Sequence, residues 1–573
     1  MRLVRLVLVA TAGNQRYVFA SNRLREAVGA SELVRVSTTV WVREALAALP
    51  AGGGWGVPVQ MSSGSTLVVV DDADGGAQAA RQVVWAVTAR ALRDAPGLEV
   101  FGASVPLSVA WPSATDVEAV FAEAARVRAG RAGGVVRFQR LPAVAGCAST
   151  DAPAGLWSSD APADPAGRAR AGEELAPRSA EVAAKRRRRP AADRRMRALV
   201  GPSVRLTDLD DFFDRVEVAG VVHIDGNGLG GLFQQAGQVL AEAVDAGDLD
   251  EAAVRGAHDD DGGPSGRRPD SRQPDVGAGP LTAGHWLGEL SRRVQQVTEE
   301  ALRAAAVRVA PPASAGRLSM VPLVVGGDDT TVLIDGVAAL EFTEAFLDRF
   351  GEASRQDDLI GLVARRVTGH PGLTAAAGVA LVKAHFPFAA AYLLAEELCR
   401  GAKVAARDLP AVHAVDVHVL LDSIMTPLEV LRGRYRARGG PGEVWLHERP
   451  FLLPASPAGL PTQVAHSDLR VVRRRAAAVA ALGRGRVEGR LVTATQLHAL
   501  REELHVDPGL AERRFGYLWS RSAAADRDLL RMLAGTTADG DGPGLMRPTA
   551  MGRSTCLVDT LELAGLADLA GAR

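Results

Sequence analysis

Apolar residues along this chain fall into two alternating periods. Strand-like apolar runs cover residues 218–224, 320–325, 330–334, 374–382 and 415–420. Between them run helical periods. Over 281–307, Leu287, Leu290, Val294, Val297 and Ala301 recur at helical spacing. Over 338–350, Phe342, Phe346 and Phe350 share one face, and a helix over 388–403 starts just after Pro387. The core order is βαββαβ, a ferredoxin-like arrangement.

The first 130 or so residues repeat that order: strand 3–9, helix 31–49 with Ser31 placed to cap it, hairpin 57–61 and 66–70, helix 75–93, strand 98–103. Pro50 follows the first helix. The pattern predicts an α+β chain with two ferredoxin-like (βαββαβ) domains, at 1–147 and 201–425. A mainly helical domain at 426–573 follows, with helical patterning over 476–482 and 495–504 after the extended EVWLHERPFLL. Two stretches lack apolar periodicity. Residues 148–200, rich in Ala, Pro, Asp and Arg, read as a disordered linker in which the basic run Lys185 to Arg189 is solvated. Residues 258–280 read as a disordered loop.

A chain of 573 residues with 47% hydrophobic content has material for several cores. A net charge of −1 gives no global basic field, so nucleic-acid contact has to come from local patches. Cys147, Cys399 and Cys556 are far apart and form no CxxC pair, which fits a reducing cytoplasm and excludes a four-ligand zinc site. No apolar run is long enough for a membrane span, and the N-terminal apolar run is too short for a signal peptide. Only three lysines occur, Lys185, Lys383 and Lys403, in a chain with 66 Lys plus Arg.

The chemistry concentrates in VPLVVGGDDTTVLID. Its hairpin turn carries Gly326, Gly327, Asp328 and Asp329, and a separate strand, VAGVVHIDGNGLG, ends near Asp225. Three carboxylates at strand tips suit two divalent cations, because Mg²⁺ takes oxygen ligands. Two such metals, about 4 Å apart, can activate a 3′-hydroxyl and stabilise leaving pyrophosphate. The glycines permit the turn and close approach of phosphates. The amides of Gly226, Asn227, Gly228 and Gly230 are candidates to cradle phosphate. Asp225, Asp328 and Asp329 are therefore the candidate catalytic and Mg²⁺ (or Mn²⁺) ligands. Gly-Gly-Asp-Asp is also a plain turn composition, and its specificity comes from Asp225 and the strand order. Lys403 is either a countercharge for a triphosphate or a solvated helix end; Lys383 is a weaker candidate. His223 and His385 read as packed histidines. In the first domain Ser62-Ser63-Gly64-Ser65 stands where GGDD stands in the second, and Asp71 and Asp72 read as a solvated cap after the strand. His258-Asp259 lies in an acidic, glycine-rich loop, unlike the helical His-Asp pair of metal phosphohydrolases.

These stretches resemble the large palm-domain subunit of type III CRISPR effectors, the Cas ten family. GNQRYVFASNRLREAVGASELV is similar to the opening of that family's first palm. HIDGNGLG and VVGGDD resemble its metal-binding strands, AGVALVKAHFPFAAAYLLAEELCRGAK its following strand–helix unit, and RPFLL (residues 449–453) a short element after the second palm. The resemblance implies two palms, the first degenerate and the second carrying GGDD. It implies ATP-dependent synthesis of cyclic oligoadenylates, with metal held by Asp225, Asp328 and Asp329. It also implies nucleotide contacts from Ser62, Ser63 and Ser65 across the junction. Implied partners are ATP, guide or target RNA, and small effector subunits docking on the helical C-terminal domain. The sequence departs from the family in lacking an N-terminal HD nuclease domain and the cysteine-rich zinc element, so DNA cleavage is not expected and a stand-alone enzyme is an alternative to a complex subunit. A GTP-using, diguanylate-cyclase-like enzyme and a non-catalytic nucleotide-binding scaffold are the other readings; Thr330 after the acid pair, where the cyclases carry Phe, weakens the former.

Overall fold

The computed structural model describes residues 3–49, 56–72, 77–108, 111–131, 141–150, 152–159, 175–251, 282–312, 316–409, 411–421, 426–439, 442–455, 459–461, 464–484, 491–534, 544–549 and 552–571. The loop 258–280 and His258-Asp259 lie outside them.

The N-terminal unit is a four-stranded sheet of β1 (Leu3–Ala12), β2 (Gly56–Ser62), β3 (Ser65–Asp72) and β4 (Glu99–Leu107), in the order β2-β3-β1-β4. All its neighbouring strands pair antiparallel. Val7, Val68 and Val70 are fully buried in it, as period-2 apolar strands with both faces covered require. The helix expected over 31–49 differs from expectation. It runs Leu24–Thr38, so Ser31 is an interior residue rather than a cap, and a second helix, Val40–Ala47, follows the break at Thr39. Asp71 is also a correction: it belongs to β3 and is buried, with Oδ1 lacking a partner, because the strand continues past its apolar run.

The stretch 148–200 is a second correction. It contains the antiparallel pair β5 (Leu156–Ser159) and β6 (Leu175–Arg178) and the long helix Ala180–Val200. Ser179 caps that helix by accepting from the Val182 N–H. Lys185, expected in solvent, is 1% exposed. Its ammonium donates to the Tyr17 carbonyl at 2.6 Å, pairs with Glu181 at 2.5 Å, and lies 4.2 Å from the centre of the Tyr17 ring. Arg186 pairs with the buried Glu26 at 2.9 Å.

The second unit is a six-stranded sheet. Its strands are β7 (Val218–Gly226), β8 (Met320–Gly326), β9 (Asp329–Asp335), β10 (Ala375–Lys383) and β11 (Val412–Leu420). Beyond β12 (Arg436–Gly439) and β13 (Gly442–Trp445), β14 (Phe451–Pro454) completes it. The order is β14-β11-β10-β7-β9-β8. Its four strands β10-β7-β9-β8 repeat the order of the N-terminal sheet, and β11 adds in parallel to β10. Helices Ala283–Val309, Gly336–Gln356 and Phe388–Ala406 cover it. Phe342, Phe346 and Phe350 are all buried, and neighbouring rings in this row lie 6.3 and 6.2 Å apart, as the periodicity requires.

The two units share a core. Val7, Val28 and Val70 of the first join Val221, Leu333, Ala380 and Leu398 of the second in one apolar cluster. Phe19 stacks on Tyr392 with ring centres 3.9 Å apart, and Gln15 donates to the Tyr392 hydroxyl at 3.0 Å. The described residues of 426–573 hold five longer helices and also a small sheet in the order β12-β13-β16-β15, with β15 (Arg547–Thr549) and β16 (Gly552–Ser554). Arg449 ties this region to the second unit: it pairs with Asp559 and Glu562, both at 2.5 Å, and donates to the Val417 carbonyl at 3.0 Å. No helix among the described residues is long and apolar enough to cross a membrane.

Candidate active site

Strand register brings the acids together. In β7, Ile224 lies opposite Thr330 of β9, and Asp225 opposite Ala376 of β10. Asp225 is therefore level with the β8–β9 turn. That turn is a two-residue loop, Gly327-Asp328, closed by the pair Gly326 and Asp329. Gly327 sits at φ +63°, which a side chain disfavours and a tight hairpin needs. Gln295, from the helix behind, accepts the Gly327 N–H at 2.6 Å, and Arg195 donates to the Val325 carbonyl at 3.3 Å. The turn is thus held from two helices, one of which lies in the stretch read as linker.

The carboxylates crowd one another. Asp328 Oδ2 accepts the Gly226 N–H at 3.2 Å, next to Asp225 in the chain. Burial, then the charge of Asp225, pushes the Asp328 carboxyl up to about 6. Burial, then Asp225 and Asp328, pushes Asp329 up to about 8. Asp329 is 46% exposed as a side chain, yet its Oδ1 is shielded and makes no hydrogen bond; His223 Nδ1 is 3.5 Å away. His223 is buried, bonds to the Thr331 hydroxyl at 3.0 Å, and has its pKa pulled down chiefly by burial.

Lys403 supplies the positive charge. Its Nζ lies 2.5 Å from Asp225 Oδ2 and 2.8 Å from the Gly226 carbonyl oxygen. The helix that carries it lies hard against β10: a Cβ on Gly378 would sit 1.9 Å from the Ala395 carbonyl oxygen. Lys383 is at the far end of the sheet, opposite Val218, and exposed. His385 is exposed rather than packed.

Two expected phosphate donors are already engaged. The Gly226 N–H is given to Asp328, and the Asn227 N–H to the Thr374 carbonyl at 2.8 Å. Asn227 Nδ2 also donates to Thr374 Oγ1 at 3.0 Å. Gly228, at φ +66°, opens the helix Leu229–Asp245, whose first-turn amides, Gly230 among them, have no partner within the helix itself.

Across the unit junction stands the Ser-Ser-Gly-Ser turn. A Cβ on Gly326 would lie 3.0 Å from Ser63 Cβ. Ser62 and Ser65 are turned on each other, with Ser62 Oγ donating to the Ser65 carbonyl at 2.9 Å, and Ser63 abuts Gly326. Thr38 braces this turn, accepting the Gly64 N–H at 3.0 Å. Gln295, Arg195, Tyr392, Gln15 and Thr38 carry no local sequence signal of this role, because each acts from an element distant in the chain.

The donor set suits magnesium: carboxylates of Asp225 and Asp328, the Gly226 carbonyl, and the orphaned Asp329 Oδ1 are all hard oxygens. Among the described residues, no three or more acid, histidine or thiol side chains already stand as a metal cage. Mg²⁺ commonly takes only one or two protein carboxylates beside substrate phosphates, which these residues can supply.

No family model matches the chain, and no curated protein does. Among solved structures, it is similar to the Csm1-Csm4 cassette in complex with cA4, at 11% identity over 99% of this chain and 70% of that one (TM-score 0.47). The same cassette with AMPPNP matches at 13% identity over the same shares (TM-score 0.47). The Csm1-Csm4 subcomplex of the type III-A CRISPR-Csm interference complex matches at 12% identity over 72% of this chain and 54% of that one (TM-score 0.36).

Proposed function

We propose that this chain is a Mg²⁺-dependent nucleotidyltransferase of the palm type that joins ATP into cyclic oligoadenylate signals in type III CRISPR-like antiviral defence. The two sheets of equal strand order are, in this reading, a degenerate first palm and a catalytic second palm. The observation that carries the reading is the convergence of Asp225, Asp328 and Lys403 at one sheet end, with Ser63 directly across the junction. A cluster that places like charges together and provides one cation is built for a polyanionic ligand with its metal, and costs stability otherwise. The choice of adenosine follows the sequence resemblance.

The donor triphosphate lies against Lys403 and the helix start after Gly228, both electropositive. The acceptor nucleotide rests on the Ser63 turn of the first palm. Its 3′-oxygen then bonds to the donor α-phosphorus, the bond from that phosphorus to the bridging oxygen breaks, and pyrophosphate leaves. The 3′-hydroxyl proton passes to water, and Asp329 Oδ1 stays with Asp225 and Asp328 as an oxygen for the metal. Asp225, Asp328 and Asp329 would hold Mg²⁺, whose charge would offset that gathering on the α-phosphate.

Incubation of the full chain with each labelled nucleoside triphosphate and Mg²⁺ or Mn²⁺, with products resolved by mass spectrometry, tests this. An oligoadenylate formed from ATP and lost in Asp328→Ala/Asp329→Ala supports it. Absence of product with every nucleotide, even with target RNA and candidate partner subunits added, overturns it in favour of a nucleotide-binding scaffold.

A further inference from the structure

We infer that Lys403 is a resident counter-cation that bars free metal from the site until a triphosphate draws it away; this rests on the nucleotidyltransferase reading. The geometry carries it. The ammonium bridges Asp225 Oδ2 at 2.5 Å and the Gly226 carbonyl oxygen at 2.8 Å. Those are two of the hard oxygens that a divalent ion would take, and a divalent ion cannot share that position with an ammonium.

The lysine is held in place by its helix and not by a rigid pocket. Gly378 lets the helix Phe388–Ala406 approach β10 closely, and Cys399 and Ala402 are buried one turn before and next to Lys403. The pair itself is open to water: the two side chains are 33% and 36% exposed. An ion pair so exposed is held weakly, and the flexible lysine stem can swing to a nearby phosphate. A triphosphate offers it several negative charges in place of one. The exchange frees Asp225 and the Gly226 carbonyl at the moment nucleotide arrives, so metal enters with the nucleotide. Lys383, at the other end of β10, is in no position to replace Lys403.

The test is Mn²⁺ binding by the full chain, followed by calorimetry and by the electron paramagnetic resonance of free Mn²⁺, with no turnover involved. Removing a unit charge a few ångströms from a divalent ion predicts that Lys403→Met binds Mn²⁺ alone at least about tenfold tighter than wild type. Lys403→Arg keeps the charge and stays as weak as wild type. With α,β-methylene ATP present the order inverts, wild type binding Mn²⁺ tighter than Lys403→Met. Because the side chain is part-exposed at the end of a helix, both variants keep the wild-type melting temperature. Equal or weaker Mn²⁺ binding by Lys403→Met, with analogue binding intact in wild type, overturns the lysine inference alone. No Mn²⁺ binding by any of these proteins, with or without the analogue, overturns both the inference and the reading it rests on.

Discussion

Ser63 and Gly326 stand against each other at the junction of the two sheets, so close that a Cβ on Gly326 would lie 3.0 Å from that of Ser63. Each belongs to a hairpin turn at the matching place in its own sheet. One turn keeps its carboxylates and the other keeps hydroxyls, so the junction has an acidic side and a neutral side.

That contact predicts a specific coupling. Gly326→Ala adds a methyl group where Ser63 already sits and should cost about 1–2 kcal/mol, the price of mild overpacking. Ser63→Gly should be nearly neutral alone and should restore most of the loss in the double variant. Urea unfolding of the four proteins measures the coupling. Strict additivity would mean that the turns do not touch in solution.

The raised carboxyls set a pH dependence. Asp328 is pushed up to about 6 and Asp329 up to about 8, so the folded protein holds protons here that the unfolded chain, with ordinary carboxylates, has lost. Folded-state stability from this pair is therefore greatest at low pH and declines as pH rises from about 4 through about 8. Metal affinity runs the other way, rising over pH 6 to 8 as the carboxyls ionise. Mg²⁺ or Mn²⁺ binding at pH 7 should release protons, seen as a heat that varies with the buffer's ionisation enthalpy. Asp329→Asn should raise the melting temperature most at pH 8 and above.

Arg449 is the clasp between the C-terminal region and the sheet that holds Asp225. It is buried, bonded to Asp559, Glu562 and the Val417 carbonyl, and its neighbours hold its charge firmly. Arg449→Ala leaves the buried Asp559 with the Glu448 N–H but without its countercharge, and should destabilise by about 3–5 kcal/mol. Hydrogen exchange should show the loss first in the helix Leu557–Gly571 and along β11. Protection unchanged in both would mean that the two regions are joined elsewhere.

Much of this arrangement is legible in sequence. The apolar runs of β7 to β10 and the row Phe342, Phe346, Phe350 are period signals, and strand order then puts Asp225 beside the GGDD turn. Legibility fails where a residue's role depends on distant chain. Ser31 has the chemistry of a cap, but burial of Leu24, Ala27 and Val28 starts the helix earlier. Asp71 reads as solvated because nothing local shows what packs over β3. Gln295 and Arg195 hold the Gly326–Asp329 turn from helices far away in sequence, and no motif marks them.

Lys185 is the sharpest such case, and it yields a test. A lysine opening a run of four arginines reads as solvent-exposed, yet its tip is enclosed by Tyr17 and Glu181. Burial pulls its pKa below the ordinary lysine value, so part of its charge is held at a cost. Its stem fills space between helices, and Glu181, at 14% side-chain exposure, can rehydrate if the ammonium goes. Lys185→Met keeps the stem and should change stability by less than about 1.5 kcal/mol. Lys185→Ala leaves a void beside Tyr17 and should cost about 2–5 kcal/mol. Thermal melts of the two variants separate packing from charge: equal, large losses would mean that the ion pair, and not the stem, holds this helix to the first unit.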